Sequence, residues 1–511
     1  MATFTRRNAW MNSGTFANLD LFWYAKGVES MQALALDDPN SWWFFAAIHG
    51  QYLDPPETGF PGWGFITAPP QVPTSPLPLQ AVIDQYWDQC QHQSWFFPPW
   101  HRGYLYALEA QIRSAIAGLD GPADWALPYW NYFGGDDQYK IPPAFTSRTL
   151  PDGAPNPLFI SQRFGPKGDG DIFVEIPPAS EACLGNTLYT GSNATTTPPG
   201  FGGPSTGFSH SGRTSGNLEF NPHNLVHVDV GGSAPDQSSW GLMSDPGLAA
   251  LDPVFYLHHA NIDRLWAAWN AQGNNNPTDP NWRGGPTALG QREFVVPMPG
   301  AVAWVFTPAD VNSLSQMNYT YDDLAIPITT LAPSALSRRL SFLRASPMDG
   351  VPPDAGSANQ ENSELLGANE GALQIRSSGS RTTVRLDSQV RTLVARSLRA
   401  ASLDNLPDRV YLQLEDVRGS IDAYKLNVSV NQEPVGTVSL FGLRRASDRD
   451  GAHGGAGLNF ILDITDIIDR LFMADALVAD TLDVKIEPNH SVQEKSAITV
   501  GRVSVYRQTQ S

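Results

Sequence analysis

The tryptophans divide this sequence into two parts of different kinds. All 15 lie between Trp10 and Trp304, and positions 305 to 511 contain none. A stretch over 345–372 is rich in Pro, Gly, Ser and Asn, which is typical of a flexible linker. At about 150 residues per domain, the length fits two or three domains. We predict an α+β multidomain protein with a first domain over 1–335, a linker over 336–372 and a second domain over 373–511.

The two parts also differ in hydrophobic periodicity. After the linker, short runs over 382–386, 410–414, 425–430 and 501–506 alternate with period two and contain β-branched residues. Such runs predict strands, and hence a β-rich sandwich or barrel. The first part instead has helical runs, clearest over 105–116 and 254–269, separated by Gly/Pro-rich loops. The loop over 185–216 is long enough to be functional or mobile.

The charge balance excludes several classes of partner. The chain has 33 basic and 51 acidic residues, a net charge of −18. A net anion is not attracted to nucleic acid or to an anionic membrane surface. Cys90 and Cys183 are the two cysteines, so no disulfide framework is expected. The first residues lack an apolar segment and no run of 18 apolar residues occurs, which predicts a soluble cytoplasmic protein without a membrane partner.

One histidine pair has helical spacing. Asn221–Pro222 predicts an N-cap and a first helical position, so His223 and His227 then project from one face of a helix. Pairs with this spacing also occur by chance.

A second group of histidines follows another predicted helix start. Asp252–Pro253 precedes His258 and His259, and Asp263 lies four residues after the second of these. A carboxylate in that position can hold the neighbouring imidazole in place beside a metal.

The remaining candidate histidines need a break in the helix to meet. His92 and His101 are nine residues apart, which would place them on opposite faces of one helix. Pro98–Pro99 predicts a break between them, so that His92 closes one helix and His101 opens the next. His49 ends another apolar run.

Several histidines in apolar helices, without a Cys pair or acidic cluster of their own, would be costly to bury unless they bind something. All-imidazole sites suit Zn, Cu, Fe or Ni. Six neutral ligands around two metals favour copper, although composition alone leaves zinc open.

At these motifs the chain resembles the tyrosinases and polyphenol oxidases, the type-3 copper proteins, from about Arg7 to Asp322. The resemblance implies a four-helix-bundle catalytic domain that oxidises small phenols to o-quinones with O₂. It also implies two copper ions, the first bound by His49, His92 and His101 and the second by His223, His227 and His259. In the family pattern the last ligand lies four residues before an Asp, which selects His259 rather than His258.

Further residues match features of the family. Cys90 lies two residues before His92, as in fungal members where the sulfur is bonded to the histidine ring; a buried thiol without that bond is the alternative. Tyr319–Tyr321 resembles the tyrosine motif that ends the catalytic domain, with Arg7 as its expected partner.

The resemblance also bears on monophenol hydroxylation. In tyrosinase-like members, acid and amide residues at the places of Glu219 and Asn224 are proposed to orient a water as base. The alternative is that Glu219 only caps or solvates a helix start. Several plant members place a bulky Phe where this chain has Pro246, followed by Gly247, so we expect an open approach to the copper. These positions favour tyrosinase over strict catechol oxidase.

The second domain resembles, more weakly, the shielding domain of plant polyphenol oxidases. The strand over 424–430 and the helix over 463–471 carry this likeness. In relatives the domain covers the copper site and is removed by a protease cutting the linker. Phe441 is a candidate to plug the approach. A stability or oligomerisation module is the alternative.

Other functions compete with a phenol-oxidising enzyme. A haemocyanin-like oxygen carrier would use the same copper pair, but one copper unit per chain and no repeat favour the enzyme. A zinc-loaded structural module would take up no oxygen.

Overall fold

The computed structural model describes residues 4–53, 62–66, 71–191, 198–209, 212–325, 335–344, 363–403, 405–448, 455–474, 480–492 and 497–509. The chain forms two compact units. The first comprises Met1–Thr190, Gly200–Ala325 and Ser439–Gly442, and the second Gly191–Pro199, Ile326–Val438 and Leu443–Ser511. Ser439–Gly442 therefore groups with the first unit, although the second unit supplies the chain on both sides of it.

The first unit is mainly helical, with long irregular connections. Its α-helices are α1 (Leu19–Gln32), α2 (Trp42–His49), α3 (Gln80–Tyr86), α4 (Phe97–Ala117), α5 (Asn224–Gly231), α6 (Val254–Ala271) and α7 (Pro280–Arg283). Single 3₁₀ turns cover Met11–Gly14, Trp63–Phe65, Pro143–Phe145, Ala182–Gly185, Leu242–Ser244, Ala249–Leu251 and Pro286–Leu289, and a π-helical turn covers Glu219–His223. Helix α4 packs against both α1 and α6 and so lies at the centre of this unit.

Side-chain caps explain where several helices begin. The Ser41 side chain accepts a hydrogen bond from Phe44 N at the start of α2, and Asp252 accepts one from Val254 N at the start of α6. Asn221 behaves differently from its predicted capping role. Its backbone is extended (φ −152°, ψ 117°), and its side chain accepts from Ser180 N instead.

The helix break expected between His92 and His101 is wrong in detail. Pro98–Pro99 lie inside the first turn of α4, where the absence of their N–H groups costs nothing. His92 lies in an irregular segment after α3 and not at a helix end. Both histidines are still free to converge, because only one of them belongs to α4.

Two short pairs of strands complete the first unit. These are β1 (Phe4–Arg6) with β4 (Tyr319–Tyr321), and β2 (Phe294–Met298) with β3 (Val302–Phe306). The first pair is parallel and aligns Arg6 with Tyr321, while the second is an antiparallel hairpin.

The second unit is built on one large sheet. Its strands are β5 (Ser363–Ala368), β6 (Leu373–Gln374), β7 (Ser380–Leu386), β8 (Arg409–Arg418), β9 (Lys425–Val430), β10 (Glu433–Ser439), β11 (Leu458–Asp463), β12 (Thr481–Pro488) and β13 (Thr499–Gln508). Its helices are α8 (Ala335–Arg344), α9 (Ser388–Arg399), α10 (Leu443–Ser447) and α11 (Thr465–Met473). The strand order is β10-β9-β12-β7-β5-β13-β8-β11, with β6 beside β13. All four predicted strand runs lie within these strands, in a barrel-like sheet rather than a two-sheet sandwich.

The predicted linker is partly structured. Helix α8 and strand β5 both fall within 336–372, whereas positions 345–362 lie outside the described residues. Arg339 of α8 explains the first departure, because its guanidinium binds both carboxylate oxygens of Asp469 (2.6 and 2.9 Å) and the carbonyl of Pro407 (3.0 Å). The Pro/Gly/Ser/Asn-rich composition that predicts flexibility begins at position 345, after this helix.

The predicted fold class is confirmed: a helical domain precedes a β-rich domain. Within the described residues, no helix has the length and apolar character needed to cross a membrane.

Candidate metal centre

Four side chains form the first potential metal-binding group. His49 ends α2, Cys90 and His92 lie in the segment after α3, and His101 lies on α4. One potential ligand atom from each lies within 4.8 Å of the others, and all four residues are buried. Three separate segments thus converge on one point.

A second group of four histidines adjoins the first. His223 ends the π-helical turn, His227 lies one turn on in α5, and His258 and His259 lie in α6. Their ring nitrogens also lie within 4.8 Å of one another. The two groups touch, since the rings of His101 and His259 stack with centroids 4.3 Å apart.

Hydrogen bonds fix the tautomer of four rings. Nδ1 lies 2.7 to 2.9 Å from a carbonyl oxygen in His49 (Pro246), His101 (Phe97), His227 (Met243) and His223 (the side chain of Asn224). Because a carbonyl oxygen only accepts, Nδ1 carries the proton in each ring. Each Nε2 therefore has a free lone pair directed into the centre.

Two of these lone pairs meet the Nε2 atom of a further ring, that of His259. Nε2 of His259 lies 3.3 Å from Nε2 of His223 and 3.4 Å from Nε2 of His227. In the part of the chain that the structure describes, Nε2 of His49 and Nδ1 of His259 are buried and have no hydrogen-bond partner. Converging unprotonated nitrogens fit a bound cation, because burial of unpaired polar groups is otherwise costly.

The buried histidine rings are neutral, so protonation does not satisfy these nitrogens. Burial lowers the pKa of His101 and of His227 to about 3. Burial, and then the neighbouring imidazoles, also hold the pKa of His223 and of His259 well below the usual range. Neutral imidazole is the form that ligates transition metals, so the donor set suits copper or zinc.

Similarity to known proteins identifies the family. A model of the common central domain of tyrosinase matches residues 39–272. Tyrosinase HcTyr1 of Hahella sp. (strain CCB-MM4) is 33% identical over 510 residues, which cover 95% of this chain and 96% of that one. The chain belongs to the tyrosinase family. Residues 362–508 match a second model, described as a domain of unknown function.

Other relatives extend this result. The latent form of the chloroplastic polyphenol oxidase of Prunus armeniaca is 28% identical over 325 residues, covering 61% of this chain but only 48% of that protein. Among solved structures, latent apple tyrosinase superposes with a TM-score of 0.57 at 20% identity, covering 99% of this chain and 97% of that one. That likeness concerns the fold, including the β-rich C-terminal domain.

Family and geometry together establish the cofactor. The two histidine groups form a binuclear copper site, and O₂ is the co-substrate typical of tyrosinases. The chain is accordingly a copper-dependent oxidoreductase that oxidises phenols.

His258 and His259 face the tyrosinase centre differently. The His259 Nε2 atom meets the Nε2 atoms of both α5-side histidines, as described above. His258 lies with Nδ1 3.4 Å from the Tyr132 hydroxyl, and its ring is nearly parallel to that of His223 with centroids 5.3 Å apart. Nε2 of His258 is likewise buried without a hydrogen-bond partner in the described structure, so the contact of His259 Nε2 with both α5-side rings is the observation that favours His259 as the ligand.

Cys90 is placed against the ring of His92. Its Sγ atom lies 3.5 Å from Nδ1 and 3.6 Å from Nε2 of that ring, and 3.4 Å from Nε2 of His101. The near-equal distances place the sulfur against the His92 ring, about equally far from its two nitrogens. Cys183 is also buried, but it belongs to neither metal-binding group.

Asp263 does not hold His259, contrary to the prediction from their spacing. One oxygen accepts from Arg102 Nε (2.6 Å), and the other accepts from Arg6 (3.2 Å), Tyr319 (2.5 Å) and Tyr321 (2.6 Å). Both oxygens are thus occupied by stronger, charged or hydroxyl donors. The Asp263 network instead ties α4, α6, β1 and β4 together behind the centre.

Arg7 was also the wrong partner for the tyrosine motif. Arg6 is fully buried and donates to the Tyr321 hydroxyl (2.9 Å), whereas the Arg7 side chain is exposed and faces Asp20. The parallel register aligns Arg6 with Tyr321, and neighbouring strand residues point to opposite faces.

Glu219 is buried beside the centre and is not a solvated helix-start acid. Its carboxylate accepts from Gln93 N (3.0 and 2.9 Å) and from Gln93 Nε2 (3.2 Å). Burial raises its pKa to about 8, against the opposing effect of hydrogen bonds from Gln93 and Ser215. Asn224 Nδ2 donates to the same Ser215 hydroxyl (3.4 Å). Sequence reasoning did not find Gln93 or Ser215, because neither belongs to a spacing motif.

Pro246 and Gly247 are buried packing positions. The Pro246 carbonyl accepts from His49 Nδ1, and a Cβ atom at Gly247 would lie 2.1 Å from the Tyr52 ring. Gly247 is therefore required by close packing, and the expectation that this position leaves an open approach gains no support.

Phe441 lies directly on the histidines of the first unit. Its ring stacks on His227 with centroids 4.1 Å apart and an interplanar angle of 22°, and meets His92 and His223 edge-on at 5.7 Å. Only 1% of its surface is exposed. The Ser439 hydroxyl holds the segment by donating to the Asn224 carbonyl (2.7 Å).

Proposed function

We propose that this enzyme is a tyrosinase in the full sense, which hydroxylates monophenols and oxidises o-diphenols to o-quinones. The observation that supports this most is the buried carboxylate of Glu219 beside the copper ligands. Diphenol oxidation needs only the copper pair and O₂, whereas monophenol hydroxylation also needs a base for the phenol proton. A catechol oxidase has no such requirement.

The protein side chains position the reaction. We propose that His49, His92, His101, His223, His227 and His259 are the copper ligands, with Nδ1 protons held by carbonyl oxygens so that Nε2 is available. When bound, the copper pair supplies the redox chemistry with O₂. The aromatic and aliphatic residues around the histidines keep water away from the centre.

Glu219 and Asn224 handle the phenol proton in this proposal. Both are hydrogen-bonded to Ser215, so a water held between them would be oriented by two fixed side chains. The carboxylate must be ionised to accept a proton, and the two hydrogen bonds from Gln93 stabilise that ionised form. Gln93 thus keeps a buried acid usable as a base.

Replacing Glu219 with Gln should lower monophenolase activity by about 100-fold, while diphenolase activity changes little. Because only ionised Glu219 accepts the proton, the ratio of monophenolase to diphenolase in the unsubstituted enzyme should rise as pH rises through the Glu219 pKa. The Glu219→Gln variant should lose this rise. Oxygen uptake on a monophenol and on its o-diphenol, over a range of pH, measures both effects.

Glu109→Gln is a suitable control for this experiment. Glu109 is also a buried carboxylate, but it pairs with Arg6 (2.7 Å) away from the copper ligands. If Glu219→Gln keeps the monophenolase ratio of the unsubstituted enzyme, the proposed base is wrong and catechol oxidase becomes the better description. Reversible binding of oxygen without formation of a quinone would instead indicate a haemocyanin-like carrier.

We further propose that Phe441 closes the approach to the copper centre in a latent form. Its ring occupies the face of His227, and buried aromatic stacking is worth about 0.5 to 1.5 kcal/mol beyond the area it covers. A phenol ring would need that same face. An activating protease that cuts in the predicted linker would release this block.

The Phe441→Ala variant should oxidise phenols several-fold faster than the unsubstituted chain without any proteolysis. Phe472→Ala, on α11 of the second unit, is the control and should leave the rate unchanged. Initial rates of oxygen uptake on a catechol, before and after limited proteolysis, test this expectation. Equal rates for the Phe441→Ala variant and the uncut parent would leave the C-terminal domain as a stability module.

Two further features stay proposals. We propose that Cys90 Sγ becomes bonded to the His92 ring, as its position against that ring allows. The cytoplasmic location and the domain limits drawn from the sequence stay predictions.

A further inference from the structure

The segment Gln89–His92 lies between two residues with left-handed backbone. Asp88 and Gln93 flank it with φ values of 53° and 48°, a region that non-glycine residues adopt uncommonly. Cys90 and His92 belong to the first metal-binding group, whereas the side chains of Gln89 and Gln91 bond the backbone of surrounding segments.

The amide side chain of Gln89 is hydrogen-bonded to strand β2. Its Nε2 donates to the Val295 carbonyl (2.7 Å), and its Oε1 accepts from Val295 N (3.0 Å). The same Nε2 donates to the Tyr86 carbonyl (2.7 Å). One fully buried side chain thus satisfies both backbone groups of a strand residue, as a neighbouring strand would.

The amide side chain of Gln91 is hydrogen-bonded to the long loop over 185–216. Its Oε1 accepts from Ser209 N (2.8 Å), and its Nε2 donates to the Gln89 carbonyl (2.8 Å). The His92 backbone is held by the same loop residue, because His92 N donates to the Ser209 carbonyl (3.1 Å) and the Ser209 hydroxyl donates to the His92 carbonyl (3.1 Å).

The segment is also fastened to the helix that carries His49. Asp88 N and Gln89 N donate to the carbonyls of Ala47 and Ile48 in the last turn of α2, at 3.1 and 2.8 Å. Those carbonyls have no partner within their own helix. Three independent attachments therefore fix the Cys90–His92 pair relative to His49.

We propose that Gln89 and Gln91 are positioning residues that hold Cys90 Sγ against the His92 ring and thereby set the rate at which the cross-link between them forms. This inference rests on the proposed function, which includes that cross-link. The hydrogen bonds of both glutamine side chains go to backbone atoms, so each would act through the segment.

The chemistry of the cross-link balances with the family's co-substrate. The Sγ–H bond of Cys90 and the Cε1–H bond of His92 break, and an Sγ–Cε1 bond forms. Two protons and two electrons leave the protein, and O₂ accepts them as hydrogen peroxide in the presence of copper. The protein loses the mass of two hydrogen atoms, which gives a readout independent of phenol oxidation.

The experiment compares Gln89→Leu and Gln91→Leu with Gln111→Leu in the full-length chain. Gln111 is a matched control because it is also a buried glutamine whose Nε2 bonds the β2 backbone, at Pro297 (3.4 Å), but it lies on α4 outside the segment. Each protein is purified without copper and then given copper and O₂. Intact mass and peptide mapping follow the loss of two hydrogens with time, and thermal melting confirms folding.

Cross-linking about tenfold slower in the two segment variants than in Gln111→Leu would support the proposal, since a small misplacement of reacting atoms costs that much or more. Cross-linking at the rate of the unsubstituted protein in both would overturn it. If Gln89→Leu does not fold, the comparison of Gln91→Leu with Gln111→Leu decides in the same way.

A parent protein that shows no mass loss would refute the cross-link while leaving the positioning role open to test. Copper content then decides that role. Positioning of His92 predicts that the segment variants bind about one copper per chain where the parent binds two, and two tightly bound copper ions in the variants would overturn it.

Discussion

Replacing His259 with Ala should remove one of the two copper ions and reduce phenol oxidation at least 100-fold, whereas His258→Ala should keep both ions. Loss of a residue that only supports a metal ligand typically costs 10- to 100-fold in metal affinity or activity, so loss of a ligand should cost more than about 100-fold. The two histidines are adjacent and both fully or almost fully buried, so burial does not distinguish them.

The physical reason lies in where each ring nitrogen points. Nε2 of His259 meets the Nε2 atoms of His223 and His227 within 3.4 Å, so a cation placed there binds all three. Nδ1 of His258 faces the Tyr132 hydroxyl instead. Without His259, the nitrogens that meet at this point fall from three to two, fewer than any common catalytic metal site uses.

Copper content by atomic absorption, beside oxygen uptake on a catechol, measures both variants. Thermal melting shows whether each variant is folded. Loss of the second copper ion in His258→Ala together with its retention in His259→Ala would reverse the assignment of these two residues.

The Asp263→Ala variant should destabilise the helical unit by about 3 to 5 kcal/mol. Without this carboxylate, the buried cations of Arg6 and Arg102 lose an anionic partner. The buried hydroxyls of Tyr319 and Tyr321 also lose an acceptor. Burial alone would raise the pKa of Asp263, but Arg102 and Arg6 outweigh burial and hold that pKa below its usual value. Its stabilisation is therefore present at neutral pH and is lost as pH falls through its folded pKa.

Asp20→Ala provides the contrast for this experiment. Asp20 pairs with Arg7 at 3.4 Å, but the Arg7 side chain is 45% exposed, so the pair should contribute no more than about 1 kcal/mol. Denaturant unfolding monitored by tryptophan fluorescence compares the two variants. Similar midpoints for Asp263→Ala and Asp20→Ala would show that the buried network is not needed for stability.

The residues that could be predicted from sequence are those whose role follows from spacing and from family motifs. His223 and His227 lie one helical turn apart. Strand runs such as 425–430 alternate with the period of two that is typical of a β-strand. Helical and extended periodicity are local properties, so the sequence displays them directly.

What could not be predicted depends on contacts between distant segments. Asp263 is four residues from His259, yet it bonds Arg102, which the packing of α4 against α6 brings near, and Arg6, which approaches when β1 pairs with β4. Arg6 rather than Arg7 reaches this network because of strand register, which one sequence does not reveal. Gln93 and Ser215 acquire their roles in the same way, from the loops that fold around Glu219.

The parallel pairing of β1 with β4 has a consequence for the order of events during synthesis. Arg6 leaves the ribosome early, but its partner Tyr321 follows 315 residues later, so the buried network around Asp263 forms only near the end of the first unit. Phe441 follows Tyr321 by a further 120 residues. At about 5 to 20 residues per second, the nascent chain has roughly 6 to 24 seconds in which the histidines are assembled and Phe441 has not yet been made. During that interval the face of His227 that Phe441 covers in the finished chain is uncovered.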